Sequence, residues 1–88
     1  MEKDKKIPNW QRRILEEYHY VDDVAEYVDN KRDILSEYLD EHYYDGTLSG
    51  LERKLLEEQR DIMLDVLKHL WDYKEILGYR LDQYEIEH

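Results

Sequence analysis

The chain has 88 residues, no cysteine, three glycines, one proline and 41% charged side chains. At ~100–200 residues per domain it forms one small domain, in which a single core hides only ~60% of the unfolded surface. The missing cysteine excludes a disulfide scaffold, a thiol nucleophile and thiolate metal sites, and suits a reducing compartment. No apolar run approaches the ~18 residues of a membrane span, and the opening Met1-Glu2-Lys3-Asp4-Lys5-Lys6 lacks the apolar stretch of a signal peptide. The expectation is a cytoplasmic protein without membrane contact.

The net charge is −10, and it is unevenly spread. Lys3, Lys5, Lys6, Arg12 and Arg13 outweigh Glu2 and Asp4 at the start, so the remainder is more acidic than the whole. Such a body repels duplex DNA, whose affinity comes from phosphates neutralised by Lys and Arg. A basic partner protein is compatible with it, as is simple solubility.

In chain order, residues 1–8 read as a charged, flexible arm, and Pro8-Asn9 opens the first helix. From there Ile14, Tyr18, Val21, Ala25, Val28, Arg32, Leu35, Leu39 and His42 recur with alternating four- and three-residue steps, which places them on one helical face. Val24, Tyr27, Ile34 and Tyr38 widen that stripe on one flank. Asn30-Lys31-Arg32-Asp33 interrupts it with four polar residues, but no Gly or Pro breaks the chain, so the helix continues to about residue 44 with room for a kink.

Residues 45–50 form the one turn-rich cluster, with Gly46 suited to the left-handed conformation that ends helices. Ser49-Gly50-Leu51-Glu52 fits a capping box for a second helix over about 51–85. Its stripe is Leu56, Met63, Leu67, Leu70, Leu77, Leu81 and Tyr84, flanked by Leu55, Ile62, Val66, Tyr73 and Ile76. Gly78 either ends this helix or permits close packing. Neither segment alternates with period two, so no sheet is expected. The fold class is all-α: an antiparallel hairpin of two long helices forming a single domain over residues 9–88. Two helices cannot cover stripes this broad, which predicts a homo-oligomeric bundle, dimeric or higher.

Catalytic constellations are weak. Glu16-x-x-His19 and Glu85-x-x-His88 have the spacing used in di-metal helical bundles. With twelve Glu among 88 residues such neighbours arise by chance, and no metal is expected. Glu37-x-x-Asp40 and Glu58-x-x-Asp61 have the spacing of magnesium-binding pyrophosphohydrolases, and a hairpin centred near residues 47–48 would set Glu37 level with Glu58. Most of these carboxylates fall off the core stripes, which favours a solvated face. Ser36, Ser49 and Thr47 have no His placed to activate them, and Gly46-Thr47-Leu48-Ser49-Gly50 lacks the lysine of a phosphate-binding loop. The chain reads as a non-enzyme with no cofactor.

Nine Tyr, two Trp and no Phe suit surfaces that are apolar at one end and wet at the other. Most of these tyrosines read as bundle margins. The hairpin brings Trp10, Arg12 and Arg13 beside Tyr79, Arg80 and Tyr84, where rings and guanidinium groups meet on an acidic molecule. Arg binds phosphate through a two-pronged fork, and Trp or Tyr stacks a base. Trp10, Arg13, Tyr79 and Arg80 are therefore candidate ligand-binding residues.

The segment Ile7-Pro8-Asn9-Trp10-Gln11-Arg12-Arg13-Ile14-Leu15-Glu16-Glu17-Tyr18 resembles the opening of small helical proteins of tailed phages and prophages, in which Pro-x-Trp-x-x-Arg starts the first helix. Leu55-Leu56-x-x-Gln59-x-x-x-Met63 and Tyr73-x-x-x-Leu77-x-x-Arg80 are similar to their second helix. The likeness spans most of residues 7–82 at scattered positions, with a longer spacing between Met63 and Tyr73. Small phage proteins of this kind include cyclic-nucleotide sponges, which sequester the messengers of bacterial immune systems such as CBASS without cleaving them. The resemblance implies a counter-defence protein that binds a cyclic di- or trinucleotide in the host bacterial cytoplasm. Trp10, Arg13, Tyr73 and Arg80 are the positions that match, and through this likeness Tyr73 joins the candidate ligand-binding residues. The alternative is an acidic inhibitor, adaptor or nucleic-acid mimic acting on a basic host protein through Asp22, Asp23, Asp29, Asp33, Glu37 and Asp40.

Overall fold

A computed structural model describes residues 7–88, and most of the arm expected over residues 1–8 lies outside them. The described chain is two α-helices, α1 over Asn9–His42 and α2 over Gly50–Gln83, packed against each other. The expected all-α hairpin is present. Each helix has 34 residues, about 51 Å at 1.5 Å per residue. The polar run at residues 30–33 does not interrupt α1. Both C-terminal ends come two residues earlier than the periodicity suggested, at His42 and Gln83 rather than near 44 and 85.

The helix ends have identifiable causes. Pro8 precedes α1, and its carbonyl accepts from the backbone N–H of Gln11 and Arg12, both at 3.0 Å. Ser49 caps α2 as its sequence foretold, the hydroxyl accepting from the Glu52 N–H at 3.0 Å. Gly46 is left-handed, with φ +81, but it shapes the loop and does not stop α1, which has ended four residues before. Asp45 organises that loop: its carboxylate accepts from the Thr47 N–H at 2.9 Å and lies 2.6 Å from His42 Nδ1. The Thr47 backbone hydrogen bond, followed by the His42 contact, holds the Asp45 carboxyl down at about 2.

At the far end, α2 closes in a Schellman motif. The Ile86 N–H reaches Leu81 O at 3.1 Å, the Glu85 N–H reaches Asp82 O at 3.0 Å, and Glu85 takes the left-handed conformation with φ 57. Ile86 then packs on the cluster that contains Leu81, which is the apolar contact this motif uses. Gly78, one of the places where α2 could have ended, lies inside it and is buried.

The antiparallel register follows from two cross-helix contacts. Trp10 meets Tyr84 edge-on with ring centroids 5.1 Å apart, and Lys74 Nζ donates to Asp22 Oδ1 at 2.7 Å. Both pairs centre the hairpin on residues 47 and 48, as the loop position implied. Every residue of the expected α1 stripe, from Ile14 to His42, is buried or half-buried. On α2 the same holds from Leu56 to Leu81, whereas Tyr84 stays exposed. The flanks remain wet: Tyr27, Ile34 and Tyr38 on α1, and Leu55, Ile62, Val66, Tyr73 and Ile76 on α2 are all exposed. Two cylinders touch along one seam, and an apolar stripe wider than that seam stays uncovered.

Candidate functional site

The hairpin end opposite the loop is the candidate site, because there the two helices bring together residues about 70 positions apart in the chain. Ile14, Val21, Leu77 and Leu81 form its buried floor, with Leu15, Tyr18, Leu70 and Ile86 packed around it. Arg13 adjoins Ile14 and Arg80 adjoins Leu81, so the buried floor carries one exposed arginine on each helix. Among the described residues neither arginine lies within 4.0 Å of a carboxylate oxygen; the basic groups that do are Arg32, Arg60, Lys74, His42 and His88. Trp10 is half exposed, and its ring stands at 89° to that of Tyr84.

The five candidate residues divide between the two sides of the hairpin. One side has a groove of about 210 Å³ bordered by Glu17, Tyr20, Val24 and Tyr73. Arg13 lies one turn before Glu17, and Arg80 lies two turns after Tyr73, so helical spacing sets both arginines on this side. Tyr73 shares the side but borders the apolar groove away from the guanidinium groups. Tyr79 belongs to the opposite side. Its hydroxyl donates to Glu75 Oε2 at 2.9 Å, a bond that raises the phenol pKa and occupies the group. At this end Trp10 pairs with Tyr84, and helical spacing sets Arg13 and Arg80 on one side of it.

The opposite side holds an open groove of about 380 Å³ that the sequence did not suggest. Tyr18, Trp71 and Tyr79 supply its aromatic walls, and Lys74, Glu75, Asp82 and His88 its polar rim. Gly78 is its floor: a Cβ there would lie 3.4 Å from His88 Nε2 and 3.6 Å from Tyr18 Cε2. The chain after the Schellman turn folds back, so that His88 packs against Tyr18 at 4.8 Å between ring centroids. The lysine is already committed. Its hydrogen bond to Asp22 holds the Lys74 ammonium above its usual pKa, and the ammonium also lies 5.4 Å from the Tyr18 ring centre. With Glu75 and Asp82 on the rim, this groove is a poor host for phosphate.

The other constellations stay apart. Glu37, Asp40, Glu58 and Asp61 are all exposed. No group of three or more His, Asp or Glu among the described residues is placed to hold a metal ion. Glu85 and His88 sit on the chain beyond α2, where the helical spacing that made them a pair no longer applies. Among the described residues no helix is long and apolar enough to cross a membrane. No family model, curated protein or solved structure matches the chain.

Proposed function

We propose that this is a phage-type, non-enzymatic binding protein that works as a homo-oligomer and sequesters a cyclic di- or trinucleotide, in the manner of a counter-defence sponge. The observation that carries the reading is the pair Arg13 and Arg80: two exposed cations at one end and on one side of the hairpin, in a chain of net charge −10. Guanidinium groups recognise phosphate by paired hydrogen bonds, and at contact distance these outweigh a diffuse charge screened over ~8 Å at physiological salt. Trp10, half exposed beside Tyr84, offers an aromatic surface for a base. Sequestration needs no acid, base or nucleophile.

The acidic-mimic reading has less to work with. Asp22 is engaged by Lys74, and Asp29 and Asp33 are both engaged by Arg32, at 2.8 and 3.1 Å. Half of the carboxylates that would imitate a phosphate row are thus partly neutralised within the protein.

Native mass spectrometry with a panel of cyclic di- and trinucleotides tests the proposal. The expected result is a fixed number of nucleotides per oligomer, released unchanged on denaturation. Arg13→Ala and Arg80→Ala should each weaken binding about tenfold or more, the loss of a charge-assisted hydrogen bond. An oligomer that ignores the whole panel, or binding indifferent to both substitutions, overturns the nucleotide reading.

A further inference from the structure

The uncovered apolar side of the hairpin carries information about its occupant. The groove joining Tyr20, Val24 and Tyr73 shows that the wet flank of α1 and the wet flank of α2 lie on the same side. Following helical spacing from there gives positions 20, 24, 27, 31, 34 and 38 on α1 and 55, 59, 62, 66, 69, 73 and 76 on α2. In a chain that is 41% charged, Lys31 is the one charged residue in that central set, and its ammonium lies 5.4 Å from the centre of the Tyr27 ring; Arg13, Glu17 and Arg80 share this side only at its terminal end. The reverse side instead carries Asp22, Asp29, Asp33, Glu75 and Asp82. One side of this hairpin is built to be covered.

The band is also symmetric along its length. Tyr20 and Ile34 each stand seven residues from Tyr27, and Ile62 and Ile76 each stand seven from His69. The hairpin register makes the two midpoints level, since Tyr27 and His69 are each five residues from the Asp22–Lys74 ion pair. A two-fold axis lying across both helices at that level therefore returns apolar positions onto apolar positions. Such self-complementarity is what an isologous interface requires. The area is adequate as well. The nine large apolar side chains of the band are 40–69% exposed. At ~150–250 Å² for each aromatic and somewhat less for each aliphatic one, they present on the order of 800 Å², which is about one partner's share of a standard interface.

We infer that the occupant is a second copy of this chain, packed face to face and antiparallel about a two-fold axis over Tyr27 and His69, closing a four-helix bundle. In that bundle α1 lies on the partner's α1, Tyr20 meets the partner's Ile34, and Ile62 meets the partner's Ile76. The two Arg13–Arg80 ends stand at opposite ends of the bundle, so a dimer presents two separate cationic ends and not one shared pocket. This deepens the oligomer part of the proposed function and does not depend on the ligand.

The absence of native cysteine makes a clean test. In Tyr27→Cys the two thiols meet at the axis, within the 4.4–6.8 Å between Cα atoms that a disulfide spans. Sedimentation of the unmodified protein should give twice its 11.0 kDa mass. Mild oxidation of Tyr27→Cys should then yield a covalent dimer nearly completely. Tyr20→Cys and Ile34→Cys should each cross-link poorly alone and well when mixed, which keeps the test valid if one variant folds badly. Trp71→Cys, on the reverse side, should stay monomeric on denaturing gels. A species of 11.0 kDa at high concentration would overturn the dimer and the oligomer reading together. An oligomer that cross-links in the Trp71→Cys variant and not in the Tyr27→Cys variant would overturn this interface while leaving the oligomer reading intact.

Discussion

The two halves of the hairpin are held by different means. Toward the termini, Ile14, Val21, Leu77 and Leu81 form a contiguous buried cluster, sealed by Ile86 and by the Trp10–Tyr84 and Tyr18–His88 ring contacts. Toward the loop, past Ala25 and Leu67 near the midpoint, Leu39 is the one buried side chain, and the seam includes Arg32, whose Nε is buried without a partner. Helical spacing is equally regular in both halves. Length of apolar stripe therefore does not measure strength of packing. What differs is the third layer: the chain beyond α2 folds back over the terminal half, and among the described residues nothing covers the loop half.

The sharpest way to break this comparison is a matched pair of truncations. Leu81 is fully buried, and Leu81→Ala should cost ~2–5 kcal/mol, whereas Leu56→Ala, at a half-buried position near the loop, should cost about 1 kcal/mol. Urea unfolding at one fixed protein concentration measures both, because assembly ties stability to concentration. Equal losses would mean that the loop half is as well packed in the working oligomer as the terminal half is in the hairpin.

Two substitutions sharpen the contrast from the other direction. Arg32 occupies a seam position between Val28 and Leu35, and Arg32→Leu removes a buried unpaired donor at the expense of two partly exposed ion pairs. It should raise the midpoint of thermal unfolding, since a buried unsatisfied donor costs more than a surface ion pair contributes. A lower midpoint in thermal unfolding would show that the Asp29 and Asp33 pairs matter more than the seam. A smaller gain, ~0.5–1 kcal/mol, is expected from Glu85→Gly, which relieves the left-handed backbone while leaving the Schellman hydrogen bonds in place. If Glu85→Gly instead destabilises the protein, the Glu85 side chain has a role beyond the turn.

Much of this was legible in one dimension. Periodicity named the α1 seam from Ile14 to His42 and the α2 seam from Leu56 to Leu81, because 3.6-residue spacing is a property of the helix itself. Ser49 announced its cap and the loop announced the register. The site was harder. Trp10, Arg12 and Arg13 were expected beside Tyr79, Arg80 and Tyr84, and of these Trp10 does meet Tyr84, but Tyr73 and Tyr79 were grouped with the arginines although they lie on different sides of α2. They are six residues apart, which a linear reading counts as near and a helix sets more than a right angle apart.

The amino-acid order by itself determined the all-helical class, the two helices, their faces and the antiparallel pairing, since each follows from local propensity and periodic burial. Tertiary structure alone decided which side of the hairpin each ring occupies, that Lys74 is tied to Asp22, and that Glu85 turns the chain back to lay His88 over Gly78 and Tyr18. Those outcomes depend on the rotation of one helix against the other and on a turn that no glycine marks. A hydrophobic pattern shows which faces are buried; only packing shows what they are buried against.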